Sequence, residues 1–266
     1  MSNQEIWDTE AAESYDTPGT GMFSSEILLP TVSRLAELAE DGRALEFAIG
    51  TGRVAVPLSG RGISVSGIEL SPAMVAQLRK KVDEATIPVA IGDMATTAAP
   101  GDYTLVYLVF NTISNLLTQA EQVACFRNAA RHLVPRGRFV IELTVPALRK
   151  LPPTQQGVVW HSEPGYVGVD IYDVGRQQLV SHHFRFGENR EAQVFRSTHR
   201  YIWPTELDLM AQLAGFELES RCADWVGSAF TEQSDSHVSV YRLRENGRAP
   251  NAERDSLRTI GYPVHD

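Results

Sequence analysis

The stretch ALEFAIGTGRVA, residues 44–55, decides the fold. Residues 44–49 form an apolar run broken only by Glu46, the pattern of a strand buried on both faces. Gly50 and Gly52 end it, and the chain passes directly into a helical pattern. Glycines in such a turn let a ligand approach the backbone at a helix N-terminus. The run G-T-G-R-V-A also fits the GxGxxA dinucleotide fingerprint, so this loop alone leaves open which adenosine ligand it would serve.

Working outward, ISVSGIE (63–69), IPVAIGD (87–93), TLVYLVF (104–110) and RFVIEL (138–143) repeat the short apolar run. Between them lie helices with clear start signals: Ser71 before Pro72, and the capping box Thr118 to Glu121, with Val123, Phe126, Ala130 and Leu133 as an apolar stripe. The alternation predicts an α/β fold with a doubly wound, mostly parallel sheet. Upstream, Leu28, Val32, Leu35 and Leu38 predict a helix over 25–40, with Pro30 near its start or kinking it. Residues 1–33 carry six acids and no Lys or Arg.

Downstream, LPPT (151–154) breaks the alternation and residues 158–202 read as antiparallel strands. A last helix runs from Pro204 to Gly215, and FELESRCADW (216–225) and HVSVYRL (237–243) close the sheet. The expected layout is therefore an N-terminal segment (1–42), a ligand-binding core (43–145), an inserted antiparallel sheet (146–203), the closing helix and strands (204–244) and a polar, flexible tail (245–266).

Composition bounds the rest. The chain has 266 residues, 43% hydrophobic and 21% charged, which excludes global disorder. No apolar run approaches the roughly 18 residues of a membrane span. The start MSNQEIWDTEAAE is polar and acidic, unlike a signal or transit peptide. Cys125 and Cys222 are too few for a disulfide framework or a structural zinc site, and are expected as buried free thiols in a reducing cytoplasm; no metal is expected. A net charge of −9 argues against nucleic acid as partner and suits chemistry on small molecules.

Three consecutive strand ends carry ligand-type residues, where doubly wound sheets bind their ligands. After the glycine loop comes Glu69, placed to accept both hydroxyls of an adenosine ribose. Then come Asp93, able to accept from an adenine amine, and Met94, able to pack on the ring.

LEFAIGTGR, GIELSPAM, IGDM, LVFNTISNL and HLVPRGRFVIE together resemble the class I S-adenosylmethionine-dependent methyltransferases. The resemblance covers 43–145 and extends to the last helix and strand pair. It implies a seven-stranded sheet with an antiparallel closing strand and S-adenosyl-L-methionine as cofactor. It also implies roles. Gly50 and Gly52, with Glu46 and Arg53 of the same loop, would lie against the methionine part of the cofactor. Glu69 would hold the ribose, Leu70 and Met74 would flank the adenine, and Asp93 and Met94 would recognise it. Phe110 would lie near the sulfonium. Tyr15 matches an N-terminal tyrosine that many small-molecule members fold over the cofactor as part of a helical lid. The family pattern has glycine where Ala48 stands. The layout resembles that of natural-product and amino-sugar N-methyltransferases, some of which carry a histidine after the fourth strand; Asn115 takes that place here, with Asn111 close by. Asn cannot accept a proton at neutral pH, so a base would have to come from elsewhere.

The inserted sheet is expected to face the acceptor. Alternation puts Val180, His182, Phe184 and Phe186 on one face and Phe195, Ser197, His199, Tyr201 and Trp203 on another. His182, His199, Tyr201 and Trp203 are the candidate substrate-facing residues, neither histidine being indispensable because methyl transfer depends mainly on placement. Arg176, Arg185, Arg190, Arg196 and Arg200 make the insert locally basic and are expected on a solvated face, the alternative being that they welcome an acidic substrate. The reading is a cytoplasmic methyltransferase acting on an amine or hydroxyl of a small molecule, a homodimer being one assembly open to it. An NAD(P)-dependent oxidoreductase and a non-catalytic cofactor-binding protein are the rivals; no Ser-Tyr-Lys or other hydride-transfer set is recognisable.

Overall fold

The computed structural model describes residues 9–187 and 191–245. Residues 1–8 of the N-terminal segment, Arg190 and the tail beyond residue 245 lie outside the described residues. Strands β1 (Ala44–Phe47), β2 (Val65–Glu69), β3 (Val89–Ile91), β4 (Tyr103–Leu108) and β5 (Leu133–Thr144) pair in parallel. The seven-stranded order is β10-β11-β5-β4-β1-β2-β3. In it β11 (Ser236–Leu243) runs antiparallel between β5 and β10 (Phe216–Cys222).

The continuous apolar runs have a direct cause. Successive residues of each central strand serve opposite layers, so both parities must be apolar. Val106, Leu108, Phe139 and Ile141 pack with α5 (Gln119–His132) and α6 (Pro204–Leu213) through Phe126 and Leu207. Leu105, Tyr107 and Val140 pack on the other face, with α2 (Ser25–Ala39) and α3 (Ala55–Ser59) through Leu35 and Leu58. Helix α2 continues through Pro30. Ser71 caps α4 (Pro72–Arg79) by accepting from the Met74 amide, and the Thr118–Glu121 capping box forms at the start of α5. The short helix α1 (Thr9–Tyr15) precedes them all.

The second sheet is a four-stranded antiparallel meander: β6 (Gly157–Glu163), β7 (Tyr166–Asp173), β8 (Gln178–Phe186) and β9 (Ala192–Arg200). Arg200 ties it to the core. Its guanidinium donates to Gln122 Oε1 (2.6 Å), Glu206 Oε1 (2.7 Å) and Gln177 Oε1 (3.1 Å). Arg200 is buried, contrary to the solvated face expected of it, because Glu206 and two amides satisfy its charge and donors. The thiols also divide: Cys125 is fully buried in α5, whereas Cys222 at the end of β10 is only half-buried.

Candidate active site

Two adjoining cavities open at the carboxyl ends of β1, β2 and β4. The smaller, of about 110 Å³, reaches Glu69, Leu70, Met74, Asp93 and Met94. The larger, of about 540 Å³, is roofed by the inserted sheet. Tyr15, Ala48, Gly50, Thr112 and Asn115 line both and define their junction.

The turn after β1 is shaped by its backbone. Ala48, Gly50 and Gly52 have φ of 52°, 57° and 79°. Ala48 thus adopts the left-handed conformation that glycine takes without cost, a strain of about 1–2 kcal/mol for an L-residue. Gly52 does not line either cavity: a Cβ there would lie 2.3 Å from Leu78 Cδ1, so it is needed for the packing of the turn on α4. Gly50 is different, since a Cβ there would meet nothing nearer than Ala48 O at 4.0 Å and would project into open space.

Glu69 clamps this turn. Its Oε2 accepts from the Gly50 amide and its Oε1 from the Ser71 amide, both at 2.8 Å. Burial pushes its carboxyl above the usual range while these amides pull it back. The Leu70 amide also acts on this carboxylate, and of its four lone-pair sites the amides leave room for a ligand hydroxyl. Glu46 is also buried; its Oε2 accepts from the Tyr107 hydroxyl (2.9 Å), and burial raises it to about 8. Asp93 Oδ1 accepts from the Ala95 amide at 2.7 Å.

The N-terminal segment is latched onto the same turn. Asp16 accepts from Thr51 Oγ1 at 2.6 Å and forms an ion pair with Lys81, whose ammonium donates to Thr51 O at 2.8 Å. Arg53 lines the larger cavity and donates to Met22 O at 3.0 Å. These ties bring Tyr15 to the junction.

After β4, Phe110 and Asn111 both have positive φ, 55° and 62°. Glu142 on β5 holds the strained pair by accepting from the Phe110 amide (2.7 Å) and the Trp225 indole (2.9 Å), while Asn111 Oδ1 accepts from the Thr144 amide (2.6 Å). Such strain recurs at functional sites. Phe110 is exposed, lines the larger cavity beside Asn111 and lies under the Arg53 guanidinium.

On the inserted sheet the cavity face of β9 carries Phe195, Ser197, His199 and, just beyond, Tyr201. On β8 the cavity face is Leu179, Ser181 and His183. His182 therefore points to the opposite face, stacked on Phe184. The correction has a simple cause: β8 is apolar at both parities, so alternation does not select a face. Trp203 is also misplaced. The strand ends at Arg200 and Trp203 caps α6, its ring against Tyr201 rather than on the cavity.

His199 sits at the junction. Its Nδ1 lies 3.1 Å from Asn115 Oδ1 and its Nε2 2.8 Å from Ser197 Oγ. An amide oxygen only accepts, so Nδ1 carries the proton and Nε2 accepts from the Ser197 hydroxyl. Burial lowers the imidazole below its ordinary range, keeping it neutral at pH 7. Asp170, Trp160, Ser181 and His183 also line this cavity and were not read from the sequence. Asp170 left a trace, a charge at a strand position between Val169 and Ile171.

One antiparallel strand inside a parallel sheet, with ligand-type residues at the ends of β1 to β3, defines the class I methyltransferase architecture. A model of the methyltransferase domain family matches residues 44–137. The structure of the CcbJ methyltransferase of Streptomyces caelestis is similar at 31% identity and a TM-score of 0.77, covering 91% of this chain and 98% of that one. The cypemycin N-terminal methyltransferase of a Streptomyces species is 26% identical over 90% of this chain and 98% of its own. A dTDP-3-amino-3,6-dideoxy-α-D-glucopyranose N,N-dimethyltransferase of Streptomyces fradiae is 30% identical over 56% of this chain and 54% of its own. The chain belongs to the S-adenosylmethionine-dependent methyltransferases.

The donor set fits that cofactor. Gly50 leaves open the space a Cβ would fill, Glu69 keeps free lone pairs for hydroxyls, and the apolar Leu70, Met74 and Met94 share the smaller cavity with the acceptor group Asp93. Among the described residues no group of three or more His, Cys, Asp or Glu is placed to hold a metal, and no helix is long and apolar enough to cross a membrane.

Proposed function

We propose that the protein methylates an amine of a small-molecule acceptor, a secondary metabolite, held in the larger cavity. The observation that carries this is the junction itself: two cavities of different character share Tyr15, Gly50 and Asn115. In this reading Glu69, Leu70, Met74, Asp93 and Met94 hold the nucleoside part of the cofactor, and Gly50, Glu46 and Arg53 the remainder. Bound there, S-adenosylmethionine supplies a methyl carbon activated by positive sulfur. The chain's own residues have to place the acceptor in line, exclude water and provide for a proton. Tyr15 and the latched N-terminal segment do the excluding. An amine attacks only in its neutral form, and the proton it sheds can pass to His199 through Ser197, whose hydroxyl donates to Nε2 and can accept in turn. By their descriptions one of the relatives named above is an N,N-dimethyltransferase and another an N-terminal methyltransferase, which supports amine over hydroxyl.

The test has two parts. S-adenosylhomocysteine should raise the melting temperature and NAD should not, since a ligand that binds only the native state stabilises it. Methyl-labelled cofactor should then label amine acceptors and spare phenols in a panel of both. Label passing only to phenols overturns the amine assignment.

A further inference from the structure

The acceptor cavity has an uneven distribution of charge. Among the described residues its lining holds one Arg or Lys, Arg53. That guanidinium donates to Met22 O and lies over the Phe110 ring, at the cofactor end and away from the inserted sheet. Arg176, Arg185, Arg196 and Arg200 of the inserted sheet all lie off the cavity. The sheet's single charged contribution is Asp170 on β7.

Asp170 is half-buried among rings. Trp160, Tyr172, His183 and Phe195 line the same wall, with the His183 ring 5.6 Å from both Trp160 and Phe195. Its hydrogen-bond partners are neutral donors, Ser181 Oγ at 2.5 Å and the Trp160 side chain; burial raises its pKa, the His182 imidazole acts on it weakly in the other direction, and among the described residues it forms no ion pair. His183 stays neutral, its pKa lowered by burial and by Arg185. A carboxylate removed from water with no cation of its own is costly, and a ligand cation would relieve that cost. Aromatic faces add to the attraction, because their quadrupoles favour positive charge.

Register fixes where that cation would sit. Asp170 faces Ser181, and Ser181 faces Ser197, whose hydroxyl meets His199. Two strand spacings, roughly 10 Å, thus separate Asp170 from the junction.

We propose that Asp170 selects the acceptor: it takes a positively charged amine that stands apart from the nitrogen being methylated, and the cavity refuses acceptors carrying phosphate or a nucleotide. The proposal rests on the reading of this cavity as the acceptor site. It also orders the chemistry, since any nucleotide or phosphate handle must be removed by a hydrolase or transferase before this enzyme acts.

The test uses the full chain saturated with S-adenosylhomocysteine and three probes of one shape class: 2-phenylethylamine, 2-phenylethanol and phenyl phosphate. Calorimetry and ligand-observed NMR should find the amine bound roughly tenfold tighter than the alcohol or better, as expected for one charge-assisted contact, and phenyl phosphate not bound. Asp170→Asn should erase the amine's advantage and leave S-adenosylhomocysteine affinity unchanged. If Asp170→Asn fails to fold, the order of the three probes on the wild-type chain still decides. Equal binding of amine and alcohol, binding of phenyl phosphate, no binding of any probe at millimolar concentration, or an indifferent Asp170→Asn variant each overturns the proposal. Failure to bind S-adenosylhomocysteine would instead undo the reading of the cofactor site.

Discussion

Along β1 and β2 every residue is buried, whereas along β6 to β9 most are half-exposed or exposed, and the two kinds of sheet meet at Asn115 and His199. The first kind positions ligand groups through the backbone. Left-handed residues at 48, 50 and 52 fold the turn, and one carboxylate gathers the amides of Gly50 and Ser71. The second positions them through side-chain parity alone. Backbone-built sites depend on a few residues that nothing else can replace, while parity-built sites spread recognition over many side chains. The cofactor side is therefore fixed and the acceptor side adaptable.

The largest effect expected is at Glu69. If Glu69 grips both ribose hydroxyls as proposed, Glu69→Ala removes two charge-assisted contacts, each about 1.5–3 kcal/mol, and affinity for S-adenosylhomocysteine should fall roughly a hundredfold or more. Calorimetry measures it, with circular dichroism to show that the fold survives. An unchanged affinity would break the contrast at its firmest point.

Next comes acid sensitivity, expected to belong to the core sheet. His237 on β11 is fully buried, and its Nε2 has no hydrogen-bond partner among the described residues. Burial lowers its pKa from 6.5 to about 4. Between those values the unfolded chain binds a proton that the native chain does not. The contribution of His237 to stability is therefore complete above pH 6.5 and is lost as pH falls towards 4, by about 3 kcal/mol, while the buried Glu46, raised to about 8, acts in the opposite sense from about pH 4.5 upward. The difference between wild-type and His237→Asn melting curves across that range isolates the contribution, the wild type losing stability relative to the variant as pH falls.

On the acceptor side the effects should be smaller. His199→Ala should lower kcat by less than the roughly 10²–10⁴-fold of a lost general base, and raising the pH should restore the rate, because the amine then arrives already neutral. A thousandfold loss that high pH does not repair would put an indispensable group on this wall. Tyr201→Ala should raise the acceptor KM about tenfold by removing a buried ring, with cofactor affinity unchanged. His182→Ala should change neither, since that ring faces away from the cavity; steady-state kinetics of the three variants tests the parity directly.

The same contrast explains what the sequence makes legible. In the core, glycine, proline and capping residues mark each boundary, and both parities of a strand are apolar, so no face has to be chosen. Glu46, Gly50, Glu69 and Asp93 stand at strand ends that punctuation alone locates. In the inserted sheet a face does have to be chosen. On β9 the aromatics at 195 and 201 bracket the cavity side, but on β8 Val180 and Phe184 balance Leu179 and His183. Asp170 is a single charge in an apolar strand, and only the cross-strand register with Ser181 gives it a place. Arg200 is read as exposed because its partners, Gln122, Gln177 and Glu206, come from three separate parts of the chain.

That buried guanidinium bears on any attempt to exchange acceptor specificity between relatives by transplanting the meander. A graft cut at the ends of β6 and β9 would carry Arg200 but leave Gln122 and Glu206 to the host. A host with apolar residues there would enclose an unmatched charge, at about 3–5 kcal/mol, a large share of a typical domain's stability. The portable unit is therefore the meander together with those two residues of α5 and α6.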